Sequence, residues 1–368
     1  MIPYINLAAK PEKFKKMSMS SVKRVIHHGQ FINGIEVKSF ETKFSDFLGG
    51  NYFTGVANGT AALYLALKSK NIGPGDEVIT TPLSYFASTS AITLTGATSV
   101  LCDVDDSLCL CSDEVEKAIN NKTKAVILVH LYGNIGELEK IKRICNDNNI
   151  ILIEDCAQAN GSSVGGNLAG TFGDFGCFSF HPLKTLAALG DAGGLCVSNQ
   201  ETDHWLKAAR NHGHSGRNDT SFWSHNLRLD AIQAAILSDQ LPHYSNEILA
   251  SRNKQAEIYL TEFQRLINRE VMSIPKKRSD VFHSYNMFVI MVSERCSFIN
   301  YMMDNGIEVK VHYPYTIDRL TASRERVKSR NIKNANQYSQ RIVSLPLGYH
   351  LTTKHIEHIA STVANYFD

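Results

Sequence analysis

"KAVILVHLYGNIGELEKIKRICNDNNIILIEDCAQ", residues 124–158, holds the pattern that decides the fold. Two short apolar runs, at 125–129 and 150–153, are nearly continuous in Val, Ile and Leu. Runs of that length and composition are strands buried on both faces. Between them "GELEKIKRICNDNN" is an amphipathic helix. Strand, helix and strand in this order make a crossover unit, so the sheet is mostly parallel with helices on both faces.

The alternation continues outward. "NGTAALYLALKSKNIG" (58–73) is a helix stopped at Gly73, and "GPGDEVITTP" (73–82) is a turn followed by a strand. "SYFASTSAITLTG" (84–96) reads as a helix and "ATSVLCDVD" (97–105) as a strand. "SDEVEKAIN" (112–120) opens a helix with Ser112 as the expected N-cap. "GGNLAGTFGDFG" (165–176) is glycine-rich but matches no full phosphate-loop pattern, and reads as turns. Near residue 229 the texture changes. "LDAIQAAILSDQL" and "EILASRNKQAEIYLTEFQRL" are two helices or one long bent one; "HSYNMFVIMV" is a strand and "TKHIEHIASTVANYF" a closing helix. The expectation is an α/β fold in two parts, a large domain over 1–244 and a smaller α+β C-terminal domain over 245–368.

The 368 residues are 43% apolar and 20% charged, with a formal net charge of +2. That balance offers no electrostatic footprint for nucleic acid. The N-terminal residues lack the apolar stretch of a signal peptide, and no run is long enough to span a membrane. The eight cysteines form no CxxC pair, which fits reduced, mostly buried thiols of a cytoplasmic protein and no metal site.

Three features carry chemistry. Asp155 stands where an apolar run gives way to "EDCAQA". A carboxylate at the carboxyl end of a parallel strand points into the ligand crevice, or merely caps the next element. In "ANGTAAL" (57–63), Gly59 and Thr60 open a helix, whose free N–H groups suit a phosphate, although the same tripeptide is an ordinary capped turn. In "FSFHPLKTLAALGDAGG" (178–194), Lys184 is a lone cation among apolar residues, a setting that favours the neutral amine and Schiff-base chemistry, although most lysines are solvated surface groups. Pyridoxal phosphate joins the three, because it needs a lysine for its aldehyde, a carboxylate for its ring nitrogen and a phosphate cradle. Tyr85 could stack on such a ring, Gln158 could bond its hydroxyl, and Ser179 could join the cradle.

With those residues in view, the chain resembles the DegT/DnrJ/EryC1/StrS sugar-nucleotide aminotransferases, which have the aspartate-aminotransferase type fold (fold type I of the pyridoxal phosphate enzymes). "GQFINGIEVKSFETKFSDFLG", "ANGTAALYLAL", "GPGDEVITTPLSYFAS", "VHLYG", "IEDCAQANGS", "FSFHPLKTLAALGDAGG", "NLRLDAIQAAIL" and "HYP" follow in the family's order. The resemblance implies that Lys184 forms the internal aldimine and shuttles the proton. It implies that Asp155 partners the pyridine nitrogen, that Gln158 and Tyr85 flank the ring, and that Gly59, Thr60 and Ser179 contact the phosphate. Asn226 matches an asparagine that reaches the neighbouring subunit's cofactor, which implies a homodimer with composite sites. His181, His312 and Tyr313 match positions near the substrate, whereas His283 reads as a packing residue. Asn58 stands where many members have Ser, and His225 where many have Tyr. "LAALGDAGG" leans toward members that aminate C3 rather than C4 of a keto sugar. The implied reaction moves an amino group from L-glutamate to a nucleotide-linked keto-deoxysugar, for incorporation into a polysaccharide or related glycan. Two alternatives stand beside it: a sugar dehydratase on the same fold, whose members replace the lysine present here, and a non-catalytic regulatory relative.

Overall fold

The computed structural model describes residues 1–216 and 218–368. Its central sheet has eight strands in the order Tyr52–Val56, Gly193–Val197, Phe175–Ser179, Ile151–Asp155, Thr123–Val129, Glu77–Thr80, Thr98–Leu101 and Val327–Ser329. Gly193–Val197 runs antiparallel to both neighbours, and every other pair is parallel. The two runs of the 124–158 stretch lie side by side at its centre, with Ala125 opposite Ile151 and Val129 opposite Asp155.

Burial on both faces needs two helical layers. Apolar side chains of Glu12–His28, Ile35–Phe47, Leu138–Asp147 and Ala231–Gln240 fill one side. Those of Gly59–Ser69, Ala87–Thr95 and Gln200–Ala209 fill the other. A third core belongs to the C-terminal part. There an antiparallel sheet of Met272–Ser273, Phe288–Val292 and Ile342–Leu345 packs against helices Ala250–Asn268, Arg295–Asp304 and Thr353–Phe367.

Two connections cross between these layers. Strand Val327–Ser329 leaves the C-terminal part to pair with Thr98–Leu101 on the large sheet. At the other terminus Ile2 bridges Ile307, and the Tyr4 amide donates to Glu308 Oε2 at 2.9 Å. The helix from Ala231 runs into Ala250–Asn268 through a tight turn at Leu241–His243 and a wider one at Tyr244–Leu249, so the two apolar patterns form one bent helical segment.

Ser112 is not the expected N-cap. Cys111 holds that position, and Ser112 is the first helical residue. Its hydroxyl donates to Glu137 Oε2 at 2.7 Å, which anchors the helix to the next loop instead. A side-chain hydroxyl serves either bond, and its partner here lies 25 residues along the chain.

Candidate active site

Asp155 closes its strand at the carboxyl end, and its side chain is buried. Oδ2 accepts from Ser88 Oγ at 2.8 Å and Oδ1 from the Ala157 amide at 3.1 Å. Burial pushes this carboxyl above its usual range, outweighing those two donors and the Lys184 charge.

Lys184 lies just past the neighbouring strand Phe175–Ser179. The chain there forms a closed loop: Phe180 N–H donates to Ala192 O, Ala188 N–H to Phe180 O and Lys184 N–H to His181 O, each at 2.8 Å. Burial brings the Lys184 ammonium down to about 8, against an opposing pull from Asp155. An amine so placed is substantially neutral near pH 8 and is a competent nucleophile and proton carrier.

Gln158 is fixed at both ends of its amide. Oε1 accepts from the Tyr132 backbone at 2.8 Å, and Nε2 donates to Tyr313 Oη at 3.1 Å. The Tyr132 hydroxyl donates in turn to the His312 carbonyl. Tyr313 faces Tyr85 with ring centroids 6.2 Å apart, and Tyr85 is exposed at the rim beside Phe86.

Helix Gly59–Ser69 starts beside these strand ends. Asn58 caps it by accepting from Ala61 N–H at 2.9 Å, which leaves the first N–H groups without intrahelical partners. Glycine permits the close approach: a Cβ on Gly59 would sit 3.0 Å from Ser179 Cβ, and one on Gly193 would sit 2.4 Å from the Asn58 carbonyl carbon. Gly59, Thr60 and Ser179 therefore share one small region. The segment carrying Asn226 runs along the entry to the same helix, because Ala57 N–H donates to Leu227 O at 2.8 Å. Asn226 itself is exposed, and its side chain makes no hydrogen bond among the described residues.

Both site histidines are biased toward the neutral form. Burial lowers His181, helped by Lys184, and its Nδ1 accepts from Leu183 N–H at 3.2 Å. Burial lowers His312 to about 4, again helped by Lys184, and its Nδ1 meets Ser344 Oγ at 2.9 Å. The fold thus gathers Lys184, Asp155, Gln158, His181, His312 and Tyr313 at one cleft, with the helix start alongside. His283 stands apart, buried and stacked on Tyr285 with ring centroids 4.0 Å apart.

Sequence reasoning missed Ser88 and Tyr132. Ser88 sits one helical turn after Tyr85, a spacing that puts both near one helix start. Tyr132 follows the strand next to that of Asp155, so the rule that singled out Asp155 also applies to it.

Comparison with known proteins adds an independent line. The sequence profile of the DegT/DnrJ/EryC1/StrS aminotransferase family matches residues 12–364. A dTDP-3-amino-3,6-dideoxy-alpha-D-galactopyranose transaminase of Aneurinibacillus thermoaerophilus is 34% identical over 100% of this chain and 99% of its own. A UDP-N-acetyl-3-dehydro-alpha-D-glucosamine 3-aminotransferase of Acidithiobacillus ferrooxidans is 31% identical over 98% of this chain and 97% of its own. The crystal structure of DesV from S. venezuelae superposes with a TM-score of 0.95 at 29% identity, covering 99% of this chain and 98% of that one.

Proposed function

The chain belongs to the DegT/DnrJ/EryC1/StrS aminotransferase family, and from that premise we propose that it is a pyridoxal phosphate-dependent transaminase. It transfers an amino group from L-glutamate to a keto group, C3 in preference to C4, of a nucleotide-linked deoxysugar. The observation that carries this reading is the placement of Lys184, just past strand Phe175–Ser179, within electrostatic reach of the buried Asp155 carboxyl that ends the adjacent strand. The names of the two transaminase relatives, each with a 3-amino or 3-keto sugar, support C3, as does "LAALGDAGG".

The residues present fit the cofactor. Asp155 has two donors among the described residues and a raised pKa, so it retains acceptor capacity for a cationic ring N–H. The start of helix Gly59–Ser69, with Thr60 and Ser179, supplies donors for a phosphate. Tyr85 would cover a ring face, and Gln158 would bond the ring hydroxyl. Bound there, the group supplies an aldehyde carbon and an electron-withdrawing ring.

The chain's own residues then do the rest. Lys184 Nζ acts as nucleophile and afterwards takes and returns the proton that moves between carbons. Asp155 would balance the charge of a ring nitrogen held beside it. His181, His312 and Tyr313 line the approach of the sugar. Glutamate leaves as 2-oxoglutarate before the keto sugar enters, a ping-pong order in which the two partners use the same reactive lysine in turn.

The working unit in this reading is a cytoplasmic homodimer with composite sites. Exposed Phe31, Ile32, Ile35 and Trp223 offer apolar surface for the partner. Ile32 bridges Asp230, which brings that surface close to the Asn226 segment.

The test is the visible absorbance of purified protein with added pyridoxal phosphate, before and after glutamate, beside Lys184→Ala. The expected result is a visible band in the wild type that glutamate bleaches, and no such band in the variant. A wild type without the band overturns the catalytic reading. A band indifferent to glutamate overturns the donor assignment. Mixing the aminated enzyme with a 3-keto and a 4-keto nucleotide sugar, and finding which restores the band, decides the position.

A further inference from the structure

A cavity of about 70 Å³ lies between the N-terminal segment, the loop after Phe180 and the turn at residues 347–350, and Lys184 forms part of its wall. Three basic side chains line it, Lys10, Lys184 and Arg252, with no carboxylate among the lining residues. Lys10 Nζ is buried and has no hydrogen-bond partner among the described residues. The hydroxyl of Tyr349, on the same wall, is likewise buried and unpartnered.

Arg252 is only partly used by the fold. Its Nε and one Nη donate to the Tyr285 and Asn286 carbonyls at 2.8 and 2.9 Å. Its other Nη reaches only the Leu347 carbonyl, at 3.5 Å. The ionisable neighbours that act on it are Tyr4, Tyr244 and Tyr349, none of them an acid at neutral pH. Withdrawing cations from water without a counter-charge is costly, so a pair of them beside a reactive lysine is a binding arrangement for an anion.

We propose that this cavity seats a carboxylate of the amino donor, held by Lys10, Arg252 and the Tyr349 hydroxyl beside Lys184. The inference rests on the aminotransferase reading and gives that reading a donor site. Arginine's planar fork matches a carboxylate, and the hydroxyl adds a third donor. Phe14, Ile248 and Leu347 supply apolar wall for the methylenes of a dicarboxylic amino acid. A nucleoside diphosphate, the other anion this enzyme would meet, is the competing occupant, and the two ligands are separated by the titrations below.

The test uses the cofactor-loaded enzyme, Lys10→Gln and Tyr349→Phe. Calorimetric titration with glutarate, an unreactive dicarboxylate, reads the cavity without any turnover, and titration with UDP reads the nucleotide end. Lys10→Gln is expected to weaken glutarate about tenfold or more, and to raise the KM for glutamate in parallel, as loss of a charged hydrogen bond does. Tyr349→Phe keeps the packing and is expected to weaken glutarate a few-fold. UDP binding stays unchanged in both. Unaltered glutarate binding in Lys10→Gln overturns the proposal, as does weakening confined to UDP. The glutarate result stands apart from the glutamate-driven bleaching of the wild type, so the donor site and the aminotransferase reading fail separately.

Discussion

Glu154 and Asp155 are consecutive residues at the end of one strand, both are buried, and their pKa values are pushed in opposite directions. Strand alternation sends them to opposite faces of the sheet. Glu154 accepts from His130 Nε2 at 2.9 Å, from Gly170 N–H at 2.9 Å, and from Phe172 and Gly173 N–H at 2.8 Å each. Burial pushes its pKa up, but the histidine and these amides more than reverse that and hold it below the usual range. Asp155 has two donors, and burial wins. One carboxylate is a closed knot that ties down a glycine-rich loop, and the other keeps acceptor capacity directed at the cleft. Burial alone therefore does not mark the functional carboxylate; the count of donors does.

Exchanging each carboxylate for its amide should separate the two roles. Asp155→Asn is expected to lower kcat by about 10³-fold, roughly 4 kcal/mol of barrier, because the amide cannot hold a ring cation. Its melting temperature should not fall. The folded pKa of Asp155 lies above the unfolded one, so its ionised form is a folded-state penalty, fully present above the folded pKa and absent below the unfolded pKa. The amide removes that penalty at neutral pH. Steady-state kinetics and a thermal melt at pH 7.5 check both halves; a large loss of stability would place Asp155 among the structural groups.

Glu154→Gln should do the reverse. Its NH₂ would face either His130 Nε2–H or an amide of the loop, donor against donor, at a cost of about 3 kcal/mol in stability. The native carboxylate has a folded pKa below the unfolded value, so its contribution is present above the unfolded pKa and is lost as pH falls through the folded one. Urea melts from pH 7 down to pH 3 should show wild-type stability falling along this limb and a flatter curve for the variant. Equal slopes would break the contrast between the two faces.

How far these faces were legible in the sequence differs for each. The apolar runs around Asp155 and the glycine before Thr60 are local signals, since strand burial and helix capping depend on near neighbours. The parallel sheet and its strand ends followed from them, whereas the grouping of Lys184 with Asp155 came from the needs of one cofactor and from the family resemblance. The Glu154 knot was not legible. Its partners come from residues 130 and 170–173, and the glycine stretch at 165–176 read as plain turns. It is a set of turns, but their N–H groups converge on the protein's own carboxylate, and a Cβ at Gly173 would lie 2.6 Å from the Leu152 carbonyl oxygen. Lys10 and Arg252 were invisible for the same reason, because what matters about them is the absence of an acidic neighbour in space. Ser88 lies between these cases: its helix was expected, but its partner sits 67 residues away.

Ser88 also offers the finest test of the comparison. Its hydroxyl is one of two donors to Asp155 among the described residues, at 2.8 Å, and it makes no other side-chain hydrogen bond among them. Ser88→Ala removes about 1 kcal/mol of hydrogen bonding from a buried carboxylate. That bond favours the ionised form, so its loss should move the Asp155 pKa further up and shift the acid limb of the kcat profile to higher pH. The expected drop in kcat at pH 7.5 is a few-fold to about tenfold, with the KM for glutamate unchanged, because Ser88 is not among the residues that line the donor cavity. Ser88→Thr retains the hydroxyl and should recover most of the rate. A merely structural serine would lower the melting temperature in Ala without moving the pH limb, and Thr, with its extra methyl in a packed helix start, would then do no better. A shift of the limb in Ala and its reversal in Thr would show that Asp155 is set by how few donors reach it, which is the property that separates it from Glu154.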